Sequence, residues 1–183
     1  MSINESDVLL TKKSAFISII GRPNVGKSSL LNTLVGEKIA IVSKKPQTTR
    51  NRIMGVLTRD NTQLIFIDTP GFHKAKTKLG DYMVKSVKTT VSDVDVAVLV
   101  IDASREKVGK TEENLINSIK AANIPAIAVL NKIDLLEDKT KLMPLISELS
   151  QMYDFRAIIP ISVKTGSGIK LLMTIASAGP LPT

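Results

Sequence analysis

Gly21-Arg22-Pro23-Asn24-Val25-Gly26-Lys27-Ser28 stands between an apolar run, Ala15 to Ile20, and a stretch with helical spacing, Ser29 to Leu34. Strand, glycine-containing turn and helix, in that order, form the context of a phosphate-binding loop, or P-loop. Gly21 and Gly26 permit the backbone angles and close approaches that let successive N–H groups face phosphate oxygens. The helix that follows begins at the anion, where its unpaired N–H groups and dipole favour negative charge. In such a loop Lys27 reaches the β- and γ-phosphates and the Ser28 hydroxyl ligates Mg2+. The competing reading is a glycine turn that happens to precede a lysine. The spacing arises by chance in fewer than about one chain of this size in a hundred.

Around this loop, short β-branched runs alternate with amphipathic segments, a pattern that argues for a sheet covered by helices on both faces. Strands are expected at 15–20, 53–58, 63–68, 94–102, 126–131 and 157–162, and helices at 27–35, 82–92, 110–122, 139–152 and 168–176. Several strands are continuous apolar runs, as parallel strands buried on both faces require. No internal repeat or low-complexity tract interrupts them. The expected unit covers residues 1–177, with a polar segment at 1–13 and a linker-like tail at 178–183.

The 183 residues suffice for one domain with a substantial core. Cysteine is absent, which excludes disulfides and cysteine-based metal sites or nucleophiles. The first residues carry no secretory pattern. The longest apolar stretch, 94–101, is interrupted by Asp95 and is too short to span a bilayer. A soluble, cytoplasmic protein is expected. The net charge of +8 suits a phosphate-handling protein and also suits contact with nucleic acid.

In doubly wound sheets, ligands bind at the carboxyl ends of the strands, and the other polar motifs fall there. Ile65-Phe66-Ile67 runs into Asp68-Thr69-Pro70-Gly71. Asp68 can hold Mg2+ through a water, and the Gly71 N–H can approach a γ-phosphate because no side chain obstructs it. The run 126–130 leads into Asn131-Lys132-Ile133-Asp134. Asp134, an acceptor-only carboxylate, matches the ring N–H and exocyclic amino group of guanine. Adenine has neither donor there, a mismatch that can discriminate by ~10⁴ or more. Asn131 can bridge the base and the P-loop, and the Lys132 stem can cover the base plane. After the last strand, Ser162-Val163-Lys164 supplies a hydroxyl to orient Asp134 and a Val163 N–H to meet the guanine carbonyl. The polar segment 43–52 has little means of packing by itself, and a threonine in it can complete Mg2+ coordination once a γ-phosphate is present.

Taken together, 21–28, Thr49, 68–71, 131–134 and 162–164 resemble the five ordered motifs of translation-factor-class GTPases. The wider pattern resembles the Era family of bacterial ribosome-assembly GTPases. That likeness is carried by residues 21–32, by Lys45-Pro46-Gln47-Thr48-Thr49-Arg50-Asn51-Arg52-Ile53 and by Asp68-Thr69-Pro70-Gly71-Phe72-His73. The Gln-Thr-Thr-Arg segment separates the chain from the similar Der family, whose pattern is Gly-Val-Thr-Arg-Asp, and the alignment puts Thr49 rather than Thr48 on Mg2+.

The resemblance implies a three-layer α/β P-loop NTPase G domain with a mostly parallel six-stranded sheet flanked by helices. It implies a switch that binds GTP and GDP with Mg2+ and hydrolyses GTP, with a role in small-subunit assembly and rRNA maturation. Nucleotide contacts carry over to Gly21, Asn24, Val25, Gly26, Lys27, Ser28, Ser29, Asp68, Gly71, Asn131, Lys132, Asp134, Ser162, Val163 and Lys164. Mg2+ falls to Ser28, Thr49 and Asp68, and the groups nearest the reacting phosphate are Lys27, Thr49 and Gly71.

Phe72 occupies the position where Ras-like GTPases carry a water-orienting glutamine, so intrinsic hydrolysis is expected to be slow. Asn24 matches the asparagine that helps related GTPases bind K+ beside the phosphates. Family members bind the small ribosomal subunit and its rRNA mainly through a C-terminal KH domain, which is expected to be absent from this chain. Peripheral contact at the inner face of the cell membrane is the remaining family partnership. Lys44, Lys45, Arg50, Arg52, Lys74, Lys76 and Lys78 form a contact with rRNA or with that KH domain, or else a solvated basic face, and His73 reads as an exposed switch residue rather than a general base. Two other readings stand beside this one. The chain is then a nucleotide-gated binding module whose hydrolysis is a slow timer, or the G domain of a Der-like or tRNA-modifying GTPase.

Overall fold

In β4 (Val96–Asp102) and β5 (Ala126–Asn131) every residue but the terminal Asp102 is buried. Both strands must therefore lie inside a sheet covered on each side. The computed structural model describes residues 13–36, 52–59, 62–68 and 94–178. The other strands are β1 (Lys13–Gly21), β2 (Arg52–Arg59), β3 (Thr62–Asp68) and β6 (Ala157–Pro160). The order across the sheet is β2-β3-β1-β4-β5-β6. β2 runs antiparallel to β3 at one edge, and every other pairing is parallel.

Among the described residues, four α-helices flank this sheet: α1 (Lys27–Val35), α2 (Lys110–Ala122), α3 (Leu142–Met152) and α4 (Ile169–Ser177). Side chains on a strand alternate between faces, and the two cores follow that alternation. Leu99, Ile101, Ala128 and Leu130 join Leu115, Ile119, Leu145 and Leu149 of α2 and α3 on one face. Val98, Val100, Ile127 and Val129 join Leu30, Leu34 and Leu172 of α1 and α4 on the other. The expected three-layer arrangement is the one observed, and α1 and α2 have the expected bounds.

The ends of other elements differ from expectation for local reasons. β4 starts at Val96 rather than at residue 94. The Asp95 carboxylate accepts the Phe16 N–H at 2.7 Å, taking a donor that a strand carbonyl would otherwise receive. The helix expected at 139–152 opens as a 3-10 turn, Lys139–Lys141, capped by Asp138, whose side chain accepts the Thr140 N–H. Pro144 has no N–H to return to the Thr140 carbonyl, so the α-helix proper begins at Leu142. β6 ends at Pro160, and Ser162 turns away to bridge with Ser167. The helix expected at 82–92 lies outside the described residues, as do the expected site residues Thr49 and Gly71. No helix among the described residues is long and apolar enough to cross a membrane.

Candidate functional site

Parallel order brings the carboxyl ends of β1, β4, β5 and β6 to one edge of the sheet, and the loops that leave there meet. The loop from β1 turns at Gly21 and Gly26, whose φ angles are 152° and 101°. A Cβ on Gly21 would collide with the Val100 carbonyl, and one on Gly26 with the Asn131 amide. The cradle therefore exists only because neither residue has a side chain. α1 then starts with Gly26 at its N-cap and no side-chain cap, which leaves its first N–H groups to an outside acceptor. Lys27 sits inside the turn and donates from Nζ to the Gly21 carbonyl at 2.8 Å and to the Arg22 carbonyl. Burial of this ammonium lowers its pKa from the usual value of 10.5. An anionic ligand would oppose that shift by stabilising the charged form.

Ser28 and Ser29 are exposed in the first turn of α1. The Ser28 hydroxyl is thus available as an oxygen ligand beside a phosphate on the loop, which suits Mg2+. Among the described residues, no group of three or more His, Asp or Glu side chains gathers as a protein-only metal site. Asp68 closes β3.

From the end of β5, Asn131 reaches across to the same loop. Its Nδ2 donates to the Val25 carbonyl at 2.9 Å, and its Oδ1 accepts the Val163 N–H at 3.1 Å. At 3% exposure, this amide ties the phosphate loop, β5 and the turn after β6 together. The Val163 N–H expected for a base carbonyl is thereby engaged by Asn131. Lys132, in a left-handed conformation at φ 71°, donates to the Asn24 carbonyl at 2.8 Å and to Asp102 Oδ2 at 2.7 Å. Asp134 is exposed, and its Oδ1 accepts the hydroxyl of fully buried Ser162 at 2.6 Å. Asn24, Val25, Gly26, Asn131, Lys132, Asp134, Ser162 and Val163 are thus assembled in one place, with Lys164 exposed at the rim of the same turn.

Two contacts in this region were not read from the sequence. Asp102, at the end of β4, holds Lys132 and accepts both the N–H and the hydroxyl of Ser104. Burial raises its pKa, but the hydrogen bonds from Lys132 and Ser104 outweigh that and hold it below the usual 3.8. The strand-end argument that singled out Asp68 applied equally to Asp102. The other contact is an ion pair between Arg22 of the loop and Glu112 of α2. It had no sequence signal, because an acidic residue in a first helical turn ordinarily reads as a partner of the helix dipole.

Residues 16–132 match the family described as "50S ribosome-binding GTPase". Over 164 residues the chain is 50% identical to the GTPase Era of Ruminiclostridium cellulolyticum, covering 90% of this chain and 54% of that protein. A crystal structure of Era in complex with MgGDPNP and nucleotides 1506–1542 of 16S ribosomal RNA superposes with a TM-score of 0.69 at 39% identity. The match covers 93% of this chain and 58% of that one. An Aquifex aeolicus Era variant bound to GDP·AlF4– gives the same TM-score and coverages at 38% identity. The chain spans about half the length of the relatives it matches. Its phosphate loop and its strand-end Asn-Lys-x-Asp agree with the matched model: the chain belongs to the family described as 50S ribosome-binding GTPases, and within it is similar to GTPase Era.

Proposed function

We propose that this chain binds GTP with Mg2+ and hydrolyses it to GDP and phosphate, as a switch in assembly of the small ribosomal subunit. The observation that carries the reading is the Asn131 bridge. A guanine-selecting loop and a phosphate loop are held by one buried amide, so base and phosphates are recognised as a single ligand. Asp134, oriented by Ser162, accepts from the guanine ring N–H and amino group. Lys132, fixed between Asn24 and Asp102, lays its stem along the base. Lys27, held over the loop by the Gly21 and Arg22 carbonyls, reaches the β- and γ-phosphates with its remaining N–H, beside the uncapped start of α1.

Mg2+ would be held by Ser28, with Thr49 and Asp68 as its other protein partners, and it would neutralise charge on the β- and γ-oxygens. Lys27 adds fixed positive charge where negative charge develops, and the Gly71 N–H meets the γ-phosphate. No side chain is assigned as general base, and with Phe72 in place of a water-orienting group the intrinsic rate is slow. Asn24 is assigned to a K+ ion beside the phosphates. The Era crystal structure with 16S ribosomal RNA supports rRNA as the macromolecular partner.

Single-turnover hydrolysis in KCl and in NaCl at equal ionic strength, with ATP as control, tests this. The expected result is GTP hydrolysis that is faster in K+, with ATP inert. Hydrolysis of ATP at a similar rate, or none of GTP, overturns the GTPase reading. Equal GTP rates in the two salts remove only the K+ assignment.

A further inference from the structure

Glu112 is the one charged side chain among the described residues that is buried, at 1% exposure. It projects from the first turn of α2, and its Oε1 lies 3.0 Å from Arg22 Nε. The contact is one of charge rather than of aligned hydrogen bonds, for neither Glu112 oxygen has a partner of hydrogen-bond geometry. Oε2 lies against the backbone of Gly109, where an added Cβ would come within 2.7 Å of it. The helix start is thus shaped around the carboxylate. A buried ion pair is a poor source of stability, because desolvation consumes most of the Coulombic gain. What such a pair can do is fix a geometry.

The geometry in question is that of the phosphate loop. Arg22 is its second residue, and the Arg22 carbonyl is one of the two oxygens that accept the Lys27 ammonium. Glu112 therefore holds, by its side chain, the residue whose main chain orients Lys27. The other end of the loop is held separately, through Asn131 on Val25 and Lys132 on Asn24. Lys132 is in turn fixed by Asp102, so the segment 102–112 supports the loop at two points. We infer that Glu112 is a positioning residue for nucleotide, acting through Arg22 to keep the phosphate loop and Lys27 in place and so slowing GDP release. The inference rests on the GTPase reading above.

The test compares the parent chain with Glu112→Gln, Arg22→Lys and the double variant. Stopped-flow release of fluorescent GDP in Mg2+ is measured beside urea unfolding of the nucleotide-free proteins. Supporting contacts one step removed from a ligand typically matter by roughly tenfold or more, as for the outer partners of metal ligands. Glu112→Gln is therefore expected to speed GDP release about tenfold with little change in the urea midpoint, and Arg22→Lys to act in the same direction. The double variant is expected to match the larger single effect, since the two residues act as one unit. Release within about twofold of the parent overturns the proposal, as does an effect that tracks lost stability or a double effect equal to the product of the singles. If Glu112→Gln does not fold, Arg22→Lys carries the test, because that side chain is 27% exposed and its replacement leaves the core intact. Failure of the parent to bind GDP or GTP would overturn the GTPase reading itself, and is seen before any variant is compared.

Discussion

Alanine at Gly26 tests whether the phosphate loop and the base loop share one support. Gly26 has φ 101°, a region in which a side chain costs about 1–2 kcal/mol of backbone strain. Its new Cβ would collide with Nδ2 of Asn131, the atom that donates to the Val25 carbonyl. Moving Asn131 weakens that bond and the one from the Val163 N–H. At 3% exposure, the displaced amide finds no water in exchange. Leaving such buried groups unpaired costs about 1–3 kcal/mol. Gly26→Ala is therefore expected to lower the nucleotide-free unfolding free energy by about 2–5 kcal/mol, measured by urea titration.

The same substitution in an Asn131→Ala background separates the two contributions. There the collision is gone and only the backbone cost of about 1–2 kcal/mol remains, which predicts a coupling of at least about 1 kcal/mol between the sites. A loss below about 0.5 kcal/mol for Gly26→Ala, or an equal loss in both backgrounds, would refute the shared support.

Asp134→Asn replaces the acceptor pair for guanine with an amide. The ratio of GTP to xanthosine triphosphate affinity is expected to shift toward xanthine by on the order of 10⁴, and retained strict guanine preference in a competition assay would count against base recognition by Asp134. Asp102 has its carboxyl held below the usual 3.8 in the folded chain. Its contribution to stability is thus fully present above about pH 4 and is lost as pH falls through the lower, folded value. The stability gap between the parent and Asp102→Asn should accordingly narrow as pH drops below 4. A gap that stays constant from neutral pH down to acid unfolding would show that Lys132 and Ser104 do not act on the ionised form.

What the sequence determined was what local rules govern. The alternation of apolar runs with helical stretches announced the three layers, because side chains on strands and helices repeat with fixed periods. The bounds of α1 and α2 were legible because capping and spacing are local. So was the phosphate loop, whose glycines are required by backbone angles within eight residues. Asp102 was legible in principle, by the strand-end rule already applied to Asp68.

The tertiary structure decided which distant groups share a bond. Asn131 meets Val25 across 106 residues of chain, and its carbonyl oxygen engages the Val163 N–H that the sequence had assigned to a base. Glu112 drew no notice in the sequence, and only the packing of α2 beside the loop encloses it with Arg22. Burial and charge pairing are properties of the surroundings in space. No local pattern in the chain encodes them, because each partner's desolvation depends on elements that arrive from elsewhere in the fold.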